Sequence, residues 1–322
     1  MNGYSRHTKY RTGVYRRHQL KTVLLTTVTV LVLVFIALLI LGNLLTGRSE
    51  EDPSNHKEEQ STLPASEALS APPAIRALPV LLETEGTDTL SSRLKALTAS
   101  GYTCASIPLN RTDGALLYRS ALASPLSLTL AGEYTVTPEG AVNRARESGV
   151  YLSGTFHLNG WETEDDLVRS VTLSKWAAVV AEALRAGIDE VLVIPSSLTA
   201  EQIPLLLQFA DSVRALAPEG ALGCAIPPSL LSQEDGESSI LALSRGFHFL
   251  ALNLTQTGTE SPTAYVESTM ASSGGLFYLL RYEMRLLLPE TEDKDTEGAL
   301  LGLVEENWTS NWQILSRLGM MN

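Results

Sequence analysis

Cysteine is almost missing from this chain. Cys104 and Cys224 are the only two among 322 residues, and both fall in apolar, strand-like runs. A structural zinc site needs several ligands at short spacing, so that class is excluded. A disulfide between the two would need an approach that sequence does not reveal, and two small buried core residues is the favoured reading. Basic charge is scarce too. Residues 1 to 48 hold seven of the 24 Lys and Arg and no acid, which leaves 17 basic against 36 acidic residues in the remainder, a net −19. Nucleic acid is excluded as a partner, because phosphate binding needs Lys and Arg gathered on one face. No GxGxxG or P-loop stands at any strand-to-helix turn, and Ser196-Ser197 lacks a GxSxG elbow and a partner His. Dinucleotide, nucleotide and serine-hydrolase chemistry lose their usual signatures, and no cofactor is expected.

One long apolar run is present. Val23 to Leu45 contains no charged residue and is long enough to cross a bilayer core as a helix. Arg6, Lys9, Arg11, Arg16, Arg17 and Lys21 precede it and only Arg48 follows closely. The positive-inside rule then leaves a cytoplasmic tail over 1–21, a membrane span over 22–46 and an exported body. A cleaved secretory signal is the competing reading, but its apolar core is usually shorter and no clean small-x-small site follows. The expected location is the bacterial plasma membrane, with the lipid bilayer as a partner through residues 22–46. Residues 47–76, rich in acid, Ser and Pro, read as a disordered linker.

From residue 77 to 322, apolar runs alternate with amphipathic segments. Strands are expected at 78–83, 103–109, 149–157, 189–195, 221–226, 247–254, 283–289 and 311–315. Helical patterns lie between them, over 89–101, 137–149, 171–187, 200–218, 238–246, 264–282 and 296–307, and Gly101, Gly149, Gly187 and Gly246 read as helix-closing residues. Strict alternation implies parallel strands with right-handed crossovers. Eight such units predict an α/β fold, a (β/α)8 TIM-like barrel. An open doubly wound sheet with fewer strands is the alternative.

Three segments carry a family resemblance: "TLSSRLKALTASGYTCASIPLNRTDGALLYRSALA", "AVNRARESGVYLSGTFHLNGW" and "AAVVAEALRAGIDEVLVIPSS". Together they span Leu90 to Ser197, and their order and spacing resemble a bacterial glycoside-hydrolase-like family of TIM barrels, many of them membrane-anchored. The resemblance implies a sugar-polymer substrate. It also implies an Asp and a Lys where this chain has Pro108 and Asn110, although Asp113 and Gly114 keep the following turn. Asp189 and Glu190 match the family, but Ile194, Pro195, Ser196 and Ser197 replace its polar strand end, and "TFHLN" replaces a basic residue on the third strand. The chain reads as a degenerate form of that family.

Glycoside hydrolysis usually needs two carboxyls about 5 to 10 Å apart. Asp189 and Glu190 open their strand, at the barrel face tied to stability. That leaves Glu83 and Glu290 as weak catalytic candidates, brought to one opening if the barrel closes. Asn110, Arg111, Asp113, His157 and Trp161 are candidate substrate contacts, a Trp ring being able to stack on a sugar face, though a packed Trp and a hydrogen-bonded rim His are the favoured reading of those two residues. His248, inside an apolar run, reads as core. The preferred expectation is a barrel that binds cell-envelope glycan or an envelope protein without turnover. The alternatives are an active glycoside hydrolase using Glu83 and Glu290, and a structural envelope protein.

Overall fold

The computed structural model describes residues 75–82, 87–132, 134, 136–231, 233, 235–255, 263–269, 271, 284–291, 293–307 and 311–316. The expected tail, membrane span and most of the linker lie outside these residues, as does Glu83. Among the described residues no helix is long and apolar enough to cross a membrane.

Eight parallel strands close into a barrel in sequence order. They are β1 (Arg76–Pro79), β2 (Cys104–Pro108), β3 (Tyr151–Leu158), β4 (Glu190–Pro195), β5 (Ala221–Ile226), β6 (Phe249–Asn253), β7 (Met284–Pro289) and β8 (Trp312–Leu315). Closure is made by β1 against β8, with Ala77 beside Gln313. The open-sheet alternative is thereby removed.

Around the strands run α1 (Thr87–Ala99), α2 (Pro138–Glu147), α3 (Asp166–Arg185), α4 (Ile203–Leu216), α5 (Pro228–Leu231), α6 (Gly236–Gly246) and α7 (Lys294–Asn307). Residues 263–269 are also helical, and the rest of the helix expected over 264–282 lies almost wholly outside the described residues. Local chemistry sets the ends. Thr137 caps α2 by accepting the Gly140 N–H at 3.2 Å, with Pro138 pre-set for the first turn. Gly101, Gly149 and Gly187 adopt φ of +85°, +66° and +94°, so each turns the chain out of a helix as expected. Gly246 differs: it ends α6 without positive φ, and a Cβ there would come 2.2 Å from Leu207 Cδ2.

Four strands, β1, β2, β4 and β7, end on a proline. A residue without an N–H is tolerated where the ladder stops, so these prolines mark the carboxyl mouth. Two apolar layers result from the alternation of side chains. Outward residues such as Phe156 meet the helices, its ring 5.3 Å from that of Trp176. Inward, Leu192, Ile194, Ala225, Phe249, Ala251, Leu287 and Leu315 form a separate interior cluster. Cys104 and Cys224 are both buried free thiols, which removes the disulfide.

Two expectations shift. β1 lies earlier than 78–83, because Val80 and Leu82 are buried loop residues that read as strand. His248 is exposed ahead of β6, its Nδ1 accepting the Leu222 N–H at 3.1 Å, and is not core.

Candidate functional site

In a β/α barrel, chemistry belongs at the carboxyl ends of the strands and the βα loops beyond them. Of the residues immediately following each strand here, one is acidic: Glu290, after β7. It is half-buried, and its backbone N–H donates to Leu315 O at 3.3 Å. Glu297, in the first turn of α7, has its carboxyl pushed up by burial and then by the Glu290 charge. Glu83, the other catalytic candidate, lies outside the described residues.

The candidate contacts of the second and third loops fall into one neighbourhood with distinct environments. Asn110 is fully buried. Its Nδ2 donates to His157 O at 2.8 Å and its Oδ1 accepts the His157 N–H at 2.7 Å. The carboxamide thus imitates one more backbone residue on β2, extending the ladder against β3. Arg111 and Asp113 form an ion pair at 2.5 Å on the surface, and Asp113 also accepts the Ala115 N–H at 2.9 Å. The Arg111 Nε is buried with no hydrogen-bond partner among the described residues.

His157 shares its register with Ile194, which places its ring inside the mouth above the interior apolar cluster. Its Nε2 is buried without a hydrogen-bond partner among the described residues, and burial lowers its pKa to about 4. At neutral pH it is an uncharged imidazole. Trp161 is 1% exposed, so its ring presents no open face to a sugar. Its Nε1 also lacks a partner among the described residues.

Acids and bases instead concentrate at the opposite end. Glu190, first residue of β4, is joined by both guanidinium nitrogens of Arg285 on β7, the Nη2 to Oε2 contact measuring 3.0 Å. Tyr151 donates its hydroxyl to Glu190 Oε2 at 3.0 Å, and the Arg285 guanidinium lies 3.6 Å above the Phe249 ring. Burial, then the Glu190 charge, pushes the Tyr151 hydroxyl pKa far up. Gln313 adds a relay between Ser153 and Ser106, at 3.2 and 2.9 Å. Asp189 accepts the Leu152 N–H at 2.7 Å and is likewise occupied in the frame of the barrel.

Arg285, Tyr151 and Gln313 were not singled out by sequence. The available signal was alternation: in "MRLLLP" the Arg falls on the inner face, where an unpaired charge is too costly to keep. Among the described residues no three His, Cys, Asp or Glu side chains converge to hold a metal ion.

No protein-family model matches this sequence. No curated protein matches it either. Solved structures do match by shape. An endo-1,4-β-mannanase from Rhizomucor miehei superposes with a TM-score of 0.50 at 10% identity, over 76% of this chain and 86% of that one. The endoglucanase Cel5A of Thermotoga maritima gives 0.48 at 11% identity, over 76% and 90%. The spore cortex-lytic enzyme SleL of Bacillus cereus gives 0.47 at 10% identity, over 76% and 71%. A deoxyribose-phosphate aldolase from Coccidioides immitis stands alongside at 0.44. The fold is a TIM barrel resembling those of glycoside hydrolases, and at such identity the likeness reaches no further than the fold.

Proposed function

We propose that this chain is a single-pass protein of the bacterial plasma membrane whose exported, glycoside-hydrolase-like barrel binds an envelope glycan or envelope protein without turning it over. The carrying observation is the composition of the mouth. Each strand's carboxyl end leads into a Pro, hydroxyl, amide or apolar residue except at Glu290, while Glu190, the one buried carboxylate inside the barrel among the described residues, is neutralised at the amino end. Hydrolysis needs a proton donor and a second carboxyl about 5 to 10 Å away. The basic, acid-free first 48 residues and the uncharged run from Val23 to Leu45 support the anchored orientation.

A second reading, an active hydrolase using Glu83 and Glu290, draws support from closure of the barrel, since β8 alone separates β1 from β7. Incubating the purified chain with peptidoglycan and other envelope polysaccharides separates the two. The proposal expects retention of polymer with no new reducing ends. Release of reducing ends that disappears in Glu83→Gln or Glu290→Gln would establish the hydrolase instead.

A further inference from the structure

The register of the barrel sorts its residues by face. Gln313 hydrogen-bonds Ser106 and Ser153 across the interior, which fixes those positions, and every second residue from them, as inward-facing. Carried to the carboxyl ends, the same alternation sets Pro79, Asn110, His157, Ser196, Asn253 and Pro289 around the mouth. None of the six is charged at neutral pH. Glu290 comes one residue after Pro289, on the outward side, and its charge acts on Glu297 of α7. Arg285, an interior cation, is held by Glu190 at the opposite end, and Arg111, one residue past Asn110, pairs with Asp113 at the surface.

Within this uncharged ring, His157 lacks what the others have. Asn110 spends its carboxamide on His157 backbone atoms, and Ser196 donates its hydroxyl to Leu158 O at 3.0 Å. Asn253 turns its Oδ1 onto the Thr255 N–H and hydroxyl, at 3.1 and 2.6 Å. The His157 ring is only 8% exposed, with its Nε2 buried and unpartnered among the described residues, over an apolar layer that includes Ile194 and Leu315 and cannot hydrogen-bond. A buried polar atom left in that condition is costly, and a ligand group that reaches it removes the cost.

The chemistry of the ring selects the ligand. A neutral imidazole offers one N–H donor and one bare nitrogen, and a hydroxyl answers either. Phosphate and carboxylate are recognised by fixed cations or converging N–H groups, which the six mouth positions do not supply. Net charge works the same way: the chain beyond residue 48 carries −19, which repels polyanions from the opening.

We infer that the barrel mouth takes an uncharged, hydroxyl-rich ligand, a neutral sugar unit, hydrogen-bonded by the His157 ring between Asn110 and Ser196. The inference rests on the glycan-binding reading above and narrows it to neutral glycans, setting anionic envelope polymers aside.

Calorimetric titration of the full chain, in a polyoxyethylene detergent that carries no sugar, tests it. The probes are chitohexaose, cellohexaose and mannohexaose as neutral glycans and hexagalacturonate as the anionic one. At least one neutral probe should bind, and more than about tenfold tighter than hexagalacturonate. His157→Phe keeps an aromatic ring over the apolar layer but removes the hydrogen bond, so it should weaken that binding about tenfold. His157→Gln keeps a donor and an acceptor and should stay within about threefold of wild type. Far-UV circular dichroism shows that each variant is folded, and the comparison of neutral with anionic probes needs no variant. Hexagalacturonate binding as tightly as the neutral probes overturns the inference, as does a folded His157→Phe chain of unchanged affinity. So does a His157→Gln chain as weak as His157→Phe, since ring packing would then set the affinity. These three outcomes leave glycan binding standing, whereas binding of none of the probes removes the inference together with the glycan reading.

Discussion

Glu190 and Arg285 meet inside the barrel from strands β4 and β7, each side chain almost wholly removed from water. Their separation of 95 residues makes the pair a long-range bolt across the interior. A buried ion pair is not in itself strong evidence of net stabilisation, because desolvation offsets the attraction. Removing one member is another matter, since the other charge is then stranded. Glu190→Ala should lower unfolding free energy by about 3–5 kcal/mol, while Glu190→Leu with Arg285→Met should recover most of the loss. Urea unfolding of the two variants against wild type checks both values. An equal loss in single and double variants would mean that packing around Phe249, and not the stranded charge, sets the cost.

Glu182 of α3 gathers the long segment that follows β2. Its carboxylate accepts the Tyr118 hydroxyl at 2.9 Å, the Ser120 hydroxyl at 2.6 Å and the Ala121 N–H at 2.8 Å. Tyr118 is fully buried, and burial followed by the Glu182 charge pushes its hydroxyl pKa far up, so it remains a donor. Tyr118→Phe should cost about 1–2 kcal/mol and Glu182→Ala about 2–3 kcal/mol, the latter leaving a buried hydroxyl without its acceptor. The segment should also become sensitive to protease in Glu182→Ala before the barrel unfolds globally, visible as early cleavage between β2 and α2 in limited proteolysis.

Asn110 illustrates how the meaning of a site residue changes once its partners are known. By sequence it is a polar group at a strand end, available to a sugar hydroxyl; in the structure both ends of its carboxamide bind His157 backbone atoms. The ladder needs one donor and one acceptor from the same side chain. Asn110→Asp supplies two acceptors and faces the His157 carbonyl with a negative charge, so it should destabilise the barrel by about 2–3 kcal/mol. Asn110→Ala should cost somewhat less, about 1–2 kcal/mol. Chemical unfolding at neutral pH ranks them, and the reverse order would contradict the ladder role.

Much of the architecture was legible, and the exceptions have physical causes. Seven of the eight strands were placed to within two residues at either end because parallel strands buried on both faces read as uninterrupted apolar runs. β1 slipped because Val80 and Leu82 bury themselves in a loop with no strand partner of their own. α3 begins five residues before the expected Val171, and the reason is its outer face: Leu167, Val168 and Val171 are exposed and spoil the periodicity by which a surface helix is recognised. The polar network was hidden because burial and pairing are properties of two distant segments at once. Glu190 could be assigned to the amino end of its strand from sequence, yet its match to Arg285 follows only from closure of the barrel. At the mouth, residue types named the neighbourhood of Asn110, His157 and Trp161 but not that each of the three is buried.

His157 gives the stability of the barrel a defined acid limb. In the unfolded chain its pKa is near 6.5, while burial above an apolar layer lowers it to about 4 in the folded state. Between those values the unfolded chain binds more protons, so unfolding free energy rises with pH across this window. The contribution is fully present above pH 6.5, is lost progressively as pH falls, and is exhausted near pH 4. For a group this buried the shift corresponds to about 3 kcal/mol. Carboxylates throughout the chain also titrate at the lower end of this range, so wild type alone does not isolate the effect. His157→Gln, uncharged at every pH and still able to hydrogen-bond at the mouth, should lose less stability than wild type between pH 7 and pH 4.5. The difference between their urea midpoints, converted with a common slope, should grow in favour of the variant by about 2 kcal/mol over that interval. Parallel curves would mean that His157 protonates as easily in the folded barrel as in the unfolded chain, and that its ring is hydrated at the mouth.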